Sequence, residues 1–71
     1  MTGERKRRSA QRQELERTRA ELEALRFALG DSWRSFNAAA DPALTEACIF
    51  EINALRNRYD AAFKQLKALT L

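Results

Sequence analysis

The sequence predicts an all-α protein: an antiparallel two-helix hairpin, coiled-coil-like, pairing with a second copy into a four-helix bundle. Two apolar rows and one turn signal carry that prediction. From Thr45 to Leu69, mostly apolar residues recur in alternating steps of three and four: Thr45, Cys48, Ile52, Leu55, Tyr59, Ala62, Leu66 and Leu69. Such stepping marks a helix that buries one edge against another helix. A second row, Leu15, Thr18, Leu22, Leu25, Leu29, Trp33 and Phe36, mirrors the first when read backwards. Positions whose numbers sum to about 81 then face each other, which sets Phe36 on Thr45, Trp33 on Cys48, Leu29 on Ile52, Leu25 on Leu55, Leu22 on Tyr59 and Leu15 on Leu66. The turn signal is Asp41-Pro42 between the rows.

In chain order, residues 1–10 hold no seam position and are expected to form a basic N-terminal arm, frayed or disordered when free. The hairpin occupies 11–71. Strong helix formers (Glu, Leu, Arg, Ala) predict a first helix over about 11–39. Gly30 is its weak point, because glycine inside a helix costs about 1 kcal/mol relative to alanine. The seam also takes two successive steps of four there, from Leu25 to Leu29 to Trp33, so a local unwinding or slight bend is expected. The alternative ends the helix at Gly30 and caps a short third helix with Asp31 or Ser32. Proline disfavours the α conformation in the residue before it but suits a first helical position, and aspartate is a good N-cap. The turn is therefore placed at about 38–41 and the second helix at about 42–68. So short a link makes the helices antiparallel neighbours.

The second helix has a further apolar stripe on the side away from its seam, Ala43, Ala47, Phe50, Ala54, Ala61 and Ala68, interrupted by Asn57 and Gln65. A helix that is apolar on two sides wants neighbours on both. The proposed oligomer interface is thus Ala43, Ala47, Phe50, Ala54 and Ala61, closing a two-fold homodimer, although a helix of another protein satisfies the same stripe. The plainer reading makes the alanines helix formers and Phe50 a single exposed hydrophobe. Size favours a partner: a chain of 71 residues holds one domain, small enough that one core seldom suffices without a staple. One cysteine forms no intrachain disulfide, and without histidine no familiar metal spacing exists, so no cofactor is expected.

Enzymatic chemistry is not expected. The usual general base and metal ligands are missing, the one cysteine lies on the seam, and the only glycines are Gly3 and Gly30, so no phosphate-cradling loop exists. No apolar run approaches the roughly 20 residues of a membrane span, and the basic start is followed by charged residues, which together predict a cytoplasmic protein. The net charge of +3 is unevenly placed. Residues 1–13 hold Arg5, Lys6, Arg7, Arg8 and Arg12 against Glu4, whereas the remainder holds eight cations and nine anions. Arg5, Lys6, Arg7 and Arg8 are the candidate phosphate-binding group; their other readings are a solubilising tail and adhesion to an anionic membrane surface. No aromatic residue is interleaved for base stacking.

The stretch Ser35-Phe36-Asn37, Asp41-Pro42-Ala43-Leu44, Ile49-Phe50-Glu51-Ile52-Asn53-Ala54 and Arg58-Tyr59 resembles the small bacterial YaaL-like family, across roughly Glu14 to Lys67. Phe50 stands where a tyrosine is expected in that family's aromatic-Glu pair. The family is described only as a domain of unknown function, so the resemblance implies a bacterial, cytoplasmic, helical protein and supplies no catalytic residues. The leading expectation is a non-enzymatic interaction or oligomerisation module. The alternative is a nucleic-acid-associated accessory protein that binds phosphates through its basic arm.

Overall fold

The computed structural model describes Thr2–Leu71, with side chains from Gly3 onward. Two helices account for nearly all of it, α1 (Thr2–Ala38) and α2 (Pro42–Thr70), with no strand among the described residues. They pack side by side in a rod 61 Å long and 14 Å across. A 37-residue helix rising 1.5 Å per residue is about 55 Å long, so α1 sets the length of the molecule.

The reversal between the helices is built from local chemistry. Asp41 holds an extended backbone (φ −107°, ψ 129°), and its carboxylate accepts from the Ala43 N–H at 3.0 Å. Pro42 follows in the first turn, where its missing N–H leaves no donor unsatisfied. The Asp41 carbonyl accepts from the Thr45 N–H at 3.0 Å and from the Thr45 hydroxyl at 3.1 Å. On the other side of the turn, the Ala39 N–H donates to the Phe36 carbonyl at 3.2 Å and closes the end of α1.

Between the helices, Leu22, Leu25, Leu55 and Ala62 form the buried cluster, and Ala28, Leu29, Tyr59 and Leu66 pack against it. Cys48 and Ile52 are buried nearer the turn, and Leu15 and Phe36 are half-buried. Thr18 is 2% exposed, and its hydroxyl donates to the Glu14 carbonyl at 2.8 Å, so the one polar atom of that side chain is satisfied inside the seam. On the flank, Gln65 Nε2 donates to Glu14 Oε1 at 2.7 Å, joining residues 51 apart in sequence across the two antiparallel helices.

One seam position differs from expectation. Trp33 is 47% exposed, while its neighbour Ser32 is 4% exposed and lies in the interface. The seam of α1 therefore reads Leu15, Thr18, Leu22, Leu25, Leu29, Ser32 and Phe36, an unbroken alternation of three and four. Helix geometry explains the correction: a step of three then four keeps the buried edge facing its partner, and a second consecutive four would rotate it away. The indole instead stands on the flank, edge-on to Phe36 with ring centroids 5.6 Å apart. With the stepping intact, α1 passes through Gly30 as α-helix, without the unwinding or break considered above. Gly30 does not have a positive φ.

The start of α1 also differs. Helix was expected from about Gln11, yet the described chain is helical from Thr2. Residues 3–13 are all exposed. Intrinsic propensity accounts for helix there, since Glu, Arg, Lys, Ala and Gln are good formers and extending an existing helix adds one hydrogen bond per residue ordered. Met1, the first residue of the expected arm, lies outside the described residues.

Candidate functional site

Because Glu14 and Gln65 both stand one residue before a seam residue (Leu15 and Leu66), their hydrogen bond shows which flanks of the two helices meet. Residues directly before the Leu15-type and Leu66-type positions share one flank. Residues directly after Leu25 or Ser32 in α1, and after Cys48 or Leu55 in α2, share the opposite flank. The rod thus has two flanks and two outer faces, each with its own chemistry.

The outer face of α2 carries the stripe expected from the sequence. Ala43, Ala47, Phe50, Ala54 and Ala61 are all exposed, and Phe50 leaves 68% of its surface in solvent. Leu44, 51% exposed, directly precedes Thr45 and so stands on the flank of Glu14 and Gln65, away from this face. Ala47, Ala54, Ala61 and Ala68 recur every seventh residue, so they form one smooth ridge along α2. Such a ridge permits close approach of another helix, and Phe50 stands beside it as the one large side chain.

The outer face of α1 has a different relief. Phe27 is 66% exposed, and beside it lies an open depression of about 320 Å³ lined by Glu23, Arg26, Phe27, Gly30 and Arg34. Gly30, without a side chain, forms part of its floor. Arg34 pairs with Asp31 at its rim.

The flank bearing Trp33 also holds Ile49, 45% exposed, and Phe63, 42% exposed. Sequence reasoning did not single out this row; its signal was the position after each seam residue, which becomes readable only once Ser32 replaces Trp33 in the seam. Phe63 is already partly engaged: Tyr59 stacks on it at 6.4 Å between centroids, and Lys67 Nζ lies 5.1 Å from its ring centre. The same flank carries Arg12, Arg19, Arg26 and Arg56, whereas the opposite one carries Glu14, Glu21 and Glu51 with Arg58.

The candidate phosphate-binding residues Arg5, Lys6, Arg7 and Arg8 are exposed on the first turns of α1, beyond the end of α2. Among the described residues, the only ion pairs are Arg17 with Glu14 at 3.1 Å and Arg34 with Asp31, both three apart along α1. Such exposed pairs contribute little to stability. Cys48 is a free, buried thiol packed as a small hydrophobe. No group of three or more histidine, cysteine, aspartate or glutamate side chains converges to hold a metal ion among the described residues. No described helix is long and apolar enough to cross a membrane.

Compared with known proteins, the chain matches no family model, no curated protein and no solved structure.

Proposed function

We propose that this chain is a helical-hairpin interaction module of the YaaL-like type, acting in the cytoplasm, that self-associates through the outer face of α2. The observation that carries the reading is Phe50, two-thirds exposed beside the alanine ridge. Complete burial of a phenylalanine side chain stabilises by roughly 1.5–3 kcal/mol. Most of that is unrealised at Phe50. Two α2 helices laid against each other along their alanines would cover Phe50 and form a four-helix bundle. The two-fold relation makes the face complementary to itself, with Phe50 of each copy meeting the small residues of the other.

Light scattering on the intact chain and on Phe50→Glu tests this. The intact protein should run at twice its 8.2 kDa mass and the variant at the single-chain mass with its helix content preserved. If both run as folded single chains, the outer face of α2 does not join two copies.

A further inference from the structure

The first turns of α1 carry their charge against the preference of a free helix. Aligned peptide dipoles favour anions at a helix N-terminus and cations at its C-terminus. In α1 the first turn has Glu4 as its acid, the last turn has no base, and Arg5, Lys6, Arg7 and Arg8 crowd in directly behind Glu4. Arg5 and Arg8 are three apart, and Arg8 and Arg12 four apart, so they are surface neighbours of like charge and repel. None of the five cations has an ion-pair partner among the described residues. Nor does packing explain them, since residues 3–13 are all exposed. The stability of the hairpin gains nothing from this arrangement, which points to a ligand outside it.

We propose that this helical overhang is a docking element for duplex nucleic acid, engaging backbone phosphates through Arg5, Lys6, Arg7, Arg8 and Arg12. Arg5, Arg8 and Arg12 fall within about 60° of one another and line one side of the helix, while Lys6 and Arg7 point to its remaining sides. A helix about 10–12 Å across fits a major groove about 12 Å wide, with phosphate walls on both sides. That geometry gives partners to cations on every side. An anionic membrane surface would meet only one side and would favour an apolar face to insert, yet Ala10 is the only apolar side chain between Gly3 and Gln13. Further along α1, Glu16 and Glu23 are interleaved with Arg19 and Arg26, which confines the site to the start of α1. Phosphate contacts carry no sequence information, so binding is indifferent to base sequence.

The test is fluorescence anisotropy of the full chain with two labelled duplexes of unrelated sequence, titrated from 50 to 200 mM salt. Beside it runs a variant carrying Arg5→Gln, Lys6→Gln, Arg7→Gln and Arg8→Gln. Five phosphate contacts predict a log–log salt slope of about −4.5, an affinity loss of about 500-fold over that range, equal for both duplexes. With Arg12 alone left, the slope should fall to about −0.9 and the loss to about 4-fold. Circular dichroism on the variant verifies that the hairpin persists. The proposal is overturned if the intact chain fails to bind at 50 mM salt, if the folded variant binds as tightly, or if phosphatidylserine vesicles capture the chain and duplex does not.

Discussion

Replacing Gly30 by alanine should stabilise the hairpin, and the reason lies in the path of α1. Gly30 sits in the helix interior without a positive φ, so an L side chain fits its backbone. A Cβ built there meets only the guanidinium of Arg34, at 3.7 and 3.9 Å, which is ordinary van der Waals contact with the end of a flexible side chain. Nothing therefore opposes the gain in helix propensity, about 0.8–1.0 kcal/mol for alanine over glycine. In a chain of this size, 1 kcal/mol shifts the melting temperature by roughly 4–8 °C. Far-UV circular dichroism melts of both proteins, at one fixed chain concentration because association also moves Tm, would read the difference. Gly30→Pro is the opposing control: it removes an N–H and clashes with the preceding turn, a loss of about 3 kcal/mol or more. An unchanged or lowered Tm for Gly30→Ala would show that α1 does not run through this position as continuous α-helix.

Asp41→Ala removes the acceptor of the Ala43 N–H and should cost about 1 kcal/mol in urea denaturation, with Asp41→Asn recovering most of it. Equal stability of all three proteins would mean that the cap does not hold the turn. Leu25→Ala, at a position 8% exposed, should cost about 2–5 kcal/mol. Trp33→Ala should cost only about 1–2 kcal/mol, since complete loss of a buried tryptophan costs about 3–5 kcal/mol and this one is half in solvent. A Trp33 loss as large as that of Leu25 would return the indole to the seam and refute the role of Ser32.

Much of the hairpin was legible because helix periodicity and turn chemistry are local. Leu22, Leu25, Ile52 and Leu55 announce themselves by spacing, and Asp41-Pro42 by the conformations those two residues prefer. The error at Trp33 arose from weighing hydrophobicity above stepping: a tryptophan beside a serine looks like the buried residue of the two. The interface selects by direction, and an unbroken heptad aims Ser32 at α2 and the indole at the flank. The row of Trp33, Ile49 and Phe63 stayed hidden for the same reason. The start of α1 differed for another reason: residues without a packing partner were not counted as helix, although their types are good helix formers.

By itself, the sequence determined two helices, the place of their reversal and the apolar edge along which they meet, since each follows from the preferences of residues close in the chain. Only the tertiary structure decided which side chain fills each layer of that edge and which flanks face each other. Those outcomes depend on how two rods are rotated about their axes, which the burial of Ser32 and the exposure of Trp33 report, with Glu14 and Gln65, 51 residues apart, marking the flank where the helices meet.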